Sequence, residues 1–191
     1  MIISFTGAQS TGKTTLLNLI RDKNYEFNYV DEVTRRIKRE YNLPINEGGG
    51  DITQSMIMAD HIANVYRKGD HDVTVLDRCA VDGVVYTQWL YNNGQVKKAT
   101  LEHAKLMFNM LVSSYDAIFI TSPIDVELED DGERSTNVKF REDIQSLFDM
   151  YIDNLMADSK DENIFVVAGT VEERMNYIQK VLAKKGLDIK I

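Results

Sequence analysis

The chain has 191 residues, 43% of them apolar and 27% charged, which is the composition of one globular domain with a real core and excludes a disordered or low-complexity chain. Its 30 acidic against 22 basic residues give a net charge of −8, which argues against non-specific nucleic-acid binding by the whole surface but leaves room for a local basic groove. The single cysteine, Cys79, excludes an intrachain disulfide, no apolar run approaches the ~18 residues of a membrane span, and the stretch Met1–Thr6 has no basic leader segment, so the expected setting is the reducing cytoplasm of a bacterium or of a phage-infected host.

Strand and helix patterns alternate along the chain. Ile2–Thr6 is a short apolar run that ends at Gly7 and reads as a buried strand, and Lys13–Arg21 follows as a helix carrying Leu16, Leu17, Leu19 and Ile20. A second strand is expected over Phe27–Asp31 and a helix over Glu32–Tyr41. Pro44 and three consecutive glycines mark Leu43–Asp51 as a loop. Helical spacing returns over Ile52–Arg67, and a third strand, Val73–Leu76, ends at Asp77. Cys79–Tyr91 and Thr100–Ser113 read as helices, and Ala117–Thr121 as a fourth strand. An acidic, polar stretch over Asp125–Asn137 precedes an amphipathic helix carrying Ile144, Leu147, Phe148, Tyr151, Ile152 and Leu155. Ile164–Ala168 is the fifth strand, and Thr170-Val-Glu-Glu173 has the pattern of a capping box opening the last helix. Five buried strands separated by helices predict an α/β fold, a three-layer sandwich with a five-stranded parallel sheet. We expect a single domain over residues 1–191, with a lid near 125–138. Ligands of such sheets sit at the carboxyl ends of the strands, so function is sought just after Thr6, Val30, Leu76 and Thr121.

The first of these positions carries Gly7-Ala8-Gln9-Ser10-Thr11-Gly12-Lys13-Thr14, which fits G-x-x-x-x-G-K-S/T without a mismatch. Its glycines let successive backbone N–H groups converge on phosphate oxygens at a helix N-terminus. Lys13 is expected to reach the β- and γ-phosphates of ATP, and the Thr14 hydroxyl to bind Mg²⁺, with Thr15 completing the nucleotide-binding segment. The third strand runs into Asp77, the Walker B position, from which a carboxylate supports Mg²⁺ directly or through water. The residues that follow are Asp77-Arg78-Cys79-Ala80, not the D-x-x-G of a GTPase switch, and no N-K-x-D occurs. Nor is there the Asp-Glu pair of a motor ATPase. Asp77-Arg78 instead resembles the D-R signature of thymidylate and deoxynucleoside kinases, whose arginine touches phosphate or acceptor, and Asp82 lies at the matching distance.

The second strand ends in Asp31-Glu32, where small-molecule P-loop kinases carry a carboxylate that faces the acceptor hydroxyl. Glu32 is the first choice for that base and Asp31 the second. In the 125–138 stretch Arg134 is the candidate lid arginine that offsets charge on the transferring phosphoryl group, ahead of Arg141, which stands near the start of the next helix.

Together Gly7–Thr14, Glu32-x-x-Arg35, Asp77-Arg78 with Asp82, and Asp131-Gly-Glu-Arg134 resemble the NadR-type AAA group of small P-loop kinases, typified by ribosylnicotinamide kinase domains. The resemblance implies an ATP- and Mg²⁺-dependent kinase without an adenylyltransferase activity, acting on a nucleoside- or nucleotide-type hydroxyl such as that of nicotinamide riboside. It also permits two alternatives: a nucleic-acid kinase acting on a 5′-hydroxyl or a hydroxymethylated base, and a regulatory ATPase without an acceptor. Arg35, Arg36, Lys38 and Arg39 form the densest basic cluster. It reads either as a seat for a phosphate-bearing acceptor or as a solvated helix face pairing with Glu40 and Asp31. Tyr86, Trp89 and Tyr91 read as core packing or as stacking partners for a base. The three histidines have no metal-ligand spacing.

Overall fold

The computed structural model describes residues 1–67, 71–122, 137–157 and 163–190, with only the backbone of 155–157. Five strands, β1 (Ile2–Thr6), β2 (Asn28–Val30), β3 (Thr74–Asp77), β4 (Ala117–Thr121) and β5 (Ile164–Val167), form one sheet in the order β2-β3-β1-β4-β5. Every pairing is parallel. Seven α-helices connect and cover them among the described residues: α1 (Lys13–Arg21), α2 (Val33–Tyr41), α3 (Asp51–Tyr66), α4 (Ala80–Asn92), α5 (Lys98–Leu111), α6 (Val138–Ala157) and α7 (Val171–Lys184).

The two faces of the sheet are read off its strands with period two. Ile3 and Phe5 of β1, Val75 of β3, and Ala117 and Phe119 of β4 enter one core with Leu16, Leu17 and Ile20 of α1 and Ile178 and Leu182 of α7. Phe5 and Phe119 stack there with ring centroids 5.3 Å apart. The intervening residues Ile2, Leu76, Ile118 and Ile120 face a second core built by α3, α4, α5 and α6. The sheet is thus buried on both sides, as continuous apolar strands require.

Among the described residues, differences from the expected elements are element ends and one short turn within an expected loop. The 43–51 stretch contains a short 3-10 turn, Asn46–Gly48, and α3 starts at Asp51. There the Asp51 carboxylate accepts from the Lys97 N–H at 2.8 Å and the Thr100 hydroxyl at 2.5 Å, fastening α3 to the start of α5. Beyond Leu111 the fifth helix tightens into a 3-10 turn over Val112–Ser114. The capping box at Thr170 forms as expected, with Glu173 N–H donating to Thr170 Oγ1 at 3.2 Å and Thr170 N–H to Glu173 Oε2 at 2.8 Å. The expected lid segment, Arg134 included, lies outside the described residues apart from Asn137 and Val138.

Central β1 lies between β3 and β4, while the chain visits β2 and β3 on one side before crossing to β4 on the other. The carboxyl end of β1 is therefore the point where the winding reverses and a crevice must open. The Gly7–Thr14 loop, Arg78 and Thr121 all meet there.

Candidate active site

The loop after β1 turns because two of its residues are glycines with positive φ, Gly7 at 132° and Gly12 at 84°. A Cβ on Gly7 would stand 2.7 Å from Thr121 O and 2.8 Å from Thr121 Oγ1, so the loop crosses the end of β4 at a distance only glycine allows. Thr11 fastens the turn: its Oγ1 donates to Ala8 O at 2.9 Å and shares a 2.5 Å hydrogen bond with Thr121 Oγ1. Lys13 begins α1 and folds back into the loop, its Nζ donating to Gly7 O at 3.0 Å and Ala8 O at 2.6 Å. Burial, and after it the nearby Arg78, bring the Lys13 ammonium down to about 7. Ser10, also in the left-handed region at φ 55°, keeps a buried Oγ with no hydrogen-bond partner among the described residues.

Beside the loop lies an ion-pair network. Arg78 follows β3 with φ 74° and directs its guanidinium inward. Nε donates to Glu32 Oε1 at 2.7 Å and Nη1 to Asp82 Oδ1 at 2.6 Å, and Nη1 also reaches Gly7 O at 3.5 Å. Asp82 is fixed in turn by the Thr6 hydroxyl at 2.5 Å and the Cys79 N–H at 3.0 Å. Glu32 also accepts from Arg35 Nε at 3.1 Å. Burial works to raise the Glu32 pKa, but Arg78 and then Arg35 outweigh it and hold the group below the usual carboxylate range. Burial works against the charge on Arg78, but the carboxylates of Glu32 and Asp82 overcome it and the guanidinium stays charged. For Asp77 the compensation is incomplete: burial, then the negative charge of Glu32, outweigh the opposing pull of Arg78 and Lys13 and raise it to about 6.

Asp31 and Glu32 are neighbours in sequence but not in environment. Asp31 is 88% exposed and pairs with Arg21 at 3.0 Å, while Glu32 is 18% exposed in the network. The basic cluster differs from the expected helix-face pairing with Glu40 and Asp31: Arg35 takes Glu32, and Arg36 takes Asp60 from α3. Tertiary packing of α2 on α3 supplies that nearer carboxylate.

Two cavities meet at Glu32. One, of about 610 Å³, opens over Thr14 and Asp77 and is walled by Asp31, Arg35, Arg36 and Arg39. The other, of about 20 Å³, is lined by Gln54, His61, Arg78, Asp82 and Tyr86, and it has room for about one water molecule. His61 is buried and neutral there, its pKa pushed down to about 4 by burial. Tyr86 and Trp89 pack edge-on against Phe140 at 5.9 and 4.7 Å, and Arg78 stands 5.5 Å over the Tyr86 ring. Tyr91 is 37% exposed. Arg141 lines a groove with Val138, Glu142 and Gln145 that shares no residue with either cavity. Cys79 is fully buried at the start of α4, where burial raises its thiol to about 12.

Sequence reasoning brings Lys13, Thr14, Glu32, Arg35, Asp77, Arg78 and Asp82 into this one region, and the structure gathers them there. It misses Gln54 and His61, which lie on a helix with no motif, and Arg174. That arginine stands on the buried stripe of α7 with Met175 and Ile178; a charge on an apolar stripe is the signal that could have found it.

Over residues 2–174 the chain matches a family of AAA domains, and it belongs to that family. No curated protein sequence matches it. Among solved structures it is similar to the NadR protein in complex with NR, at 18% identity and a TM-score of 0.75, covering 100% of this chain and 53% of that one. The chain thus spans about half the length of NadR. It is also similar to deoxyadenosine kinase from M. mycoides, with dCMP and dCDP bound, at 14% identity and a TM-score of 0.69, covering 96% of this chain and 100% of that one. A third likeness is to thymidylate kinase from Candida albicans, at 13% identity and a TM-score of 0.63, covering 99% and 96% of the two chains. At such identities the likeness is one of fold, an α/β P-loop NTPase fold.

Proposed function

We propose that the protein is an ATP- and Mg²⁺-dependent kinase that transfers the γ-phosphate to a hydroxyl of a nucleoside- or nucleotide-type acceptor. The observation that carries the reading is the Glu32–Arg78–Asp82 network standing directly beside the phosphate loop, with Arg78 touching both.

The residues fit the nucleotide and its metal. Among the described residues, the loop holds a buried hydroxyl without a hydrogen-bond partner at Ser10 and a lysine whose acceptors are all loop oxygens. Both offer donors to phosphate oxygens. The hydroxyl of Thr14 and the carboxylate of Asp77 border one cavity and form a hard oxygen pair suited to Mg²⁺. MgATP, when bound, supplies the electrophilic phosphorus and a metal that offsets charge on the phosphates.

The remaining chemistry belongs to the chain. Lys13 leaves its loop carbonyls and turns its ammonium to the phosphates, and Arg134 is the proposed second cation. Glu32, ionised and held on both oxygens by arginines, accepts the hydrogen of the acceptor hydroxyl at a carboxylate oxygen and aims its oxygen lone pair. A strong base is unnecessary, because in a loose transition state the hydroxyl proton leaves late. Asp82 and Thr6 fix Arg78, which fixes Glu32. The choice of a nucleoside-type acceptor is supported by the neighbours solved with NR and dCMP.

A nucleic-acid acceptor is the second reading. It is favoured by one observation: Arg35, Arg36 and Arg39 together line the larger cavity. Incubation with γ-labelled ATP, Mg²⁺ and a panel of nucleosides, their monophosphates and oligonucleotides tests both. Label on a free nucleoside or nucleotide supports the first reading, and label on an oligonucleotide the second. Lys13→Ala is expected to abolish either.

A further inference from the structure

One buried cation has no place in the scheme above. Arg174, in the first turn of α7, is 3% exposed. Its guanidinium donates to backbone carbonyls of three separate segments: Nε to Gly169 O at 2.7 Å, Nη1 to Thr11 O at 2.7 Å and Nη2 to Ser122 O at 3.1 Å. All three acceptors are neutral. Burial alone moves its pKa, and moves it downward; among the described residues no carboxylate offsets the charge. Arginines at this depth are ordinarily ion-paired, since an uncompensated buried charge is costly.

We propose that Arg174 is a positioning residue for nucleotide binding, which locks the Thr11–Gly12 peptide of the phosphate loop from behind and leaves its positive charge to be neutralised by the polyphosphate. The inference rests on the nucleotide-binding half of the proposed function and is independent of the acceptor.

The peptide unit is planar and trans, so a Thr11 carbonyl directed at Arg174 sends the Gly12 N–H the opposite way. Gly12 caps the N-terminus of α1 at φ 84°. With no side chain of its own, its peptide plane must be held by a neighbour. A hydrogen bond from a charged donor also polarises that peptide and strengthens the Gly12 N–H as a donor. The same guanidinium grips Ser122 just beyond β4, and Thr11 is tied to β4 through Thr121 Oγ1. The middle of the loop is therefore fastened to the sheet twice, once through the Thr11 side chain and once through its carbonyl.

A rivet that merely joined α7 to the sheet would affect stability and leave nucleotide affinity in the folded protein unchanged. The test is titration with a fluorescent ATP analogue and Mg²⁺, without acceptor, on wild type, Arg174→Gln and Arg174→Lys, with urea unfolding alongside. Arg174→Gln is expected to weaken binding by about 10- to 100-fold, the worth of one charge-assisted hydrogen bond. In turnover assays KM for ATP rises in step, kcat stays within about threefold, and KM for the acceptor is unchanged. Arg174→Lys, which keeps the charge but not the three-way fork, recovers part of the affinity. Binding within about twofold of wild type in either folded variant would overturn the proposal. If Arg174→Gln does not fold, Arg174→Lys decides alone, and a loss of at least about fivefold is expected. Failure of the wild-type protein to bind the analogue would overturn the nucleotide-binding reading itself and this inference with it.

Discussion

Replacing Glu32 by Gln keeps the side chain's shape and removes its charge. Glu32 Oε1 accepts from Arg78 at 2.7 Å and Oε2 from Arg35 at 3.1 Å. A glutamine has one acceptor oxygen and would turn its NH₂ group toward one of these arginines. Orphaning a buried charge costs about 3–5 kcal/mol, but Arg78 keeps Asp82 at 2.6 Å. The expected loss of stability is therefore smaller, about 1–3 kcal/mol. The loss in turnover is expected to be larger: about 10²- to 10⁴-fold for removing the group that receives the hydroxyl proton. Asp31→Asn is the control. Its carboxylate is 88% exposed and, among the described residues, pairs with Arg21 at the surface, so its expected cost is within about 0.5 kcal/mol and its turnover within about twofold of wild type. The assay is kcat at saturating MgATP and acceptor, with nucleotide-analogue affinity and urea unfolding measured on the same preparations. Wild-type turnover in folded Glu32→Gln, or an equal loss in Asp31→Asn, would refute the assignment.

Two further predictions address the phosphate loop. Gly7→Ala sets a Cβ against Thr121 O at a φ of 132°, and Thr121→Ala cannot relieve the backbone part of that clash. We expect about 2–5 kcal/mol of lost stability or a displaced loop that no longer binds nucleotide, unrescued in the double variant; unfolding and analogue binding check it, and wild-type values in both would contradict it. The Lys13 ammonium, at about 7 without ligand, is mostly neutral at pH 8 and is recharged by phosphates. Binding of a non-hydrolysable ATP analogue at pH 8 is then expected to take up about one proton, read from the buffer dependence of the calorimetric enthalpy. At pH 6 the lysine is already charged and its contribution vanishes, so an uptake no larger at pH 8 than at pH 6 would count against the buried-lysine account.

Much of the fold was legible because a parallel sheet covered on both faces writes itself as apolar runs, and the Gly7–Thr14 spacing has few structural meanings. Asp77, Arg78 and Asp82 were legible because they sit at a strand end and one helical turn beyond it. Which of Asp31 and Glu32 turns inward was not settled by the sequence, since adjacent residues at a strand end point to opposite sides and nothing local says which side the partner arginine occupies. The partner of Arg36 was not legible either: Asp60 lies on another helix, and only packing of α2 on α3 brings it near. Arg174 illustrates a third limit. Its partners are the carbonyls of residues 11, 122 and 169, and a carbonyl has no sequence signature.

A kinase passes phosphate from ATP to an organic hydroxyl rather than to water. The most direct measurement is the partition of γ-label between an added nucleoside-type acceptor and free inorganic phosphate. On the kinase assignment, label is expected on an acceptor, with ADP formation stimulated by that acceptor and lost in Glu32→Gln. An ATPase rate that no acceptor in the panel alters, with all label in inorganic phosphate, would contradict it and point to a regulatory nucleotide-binding protein.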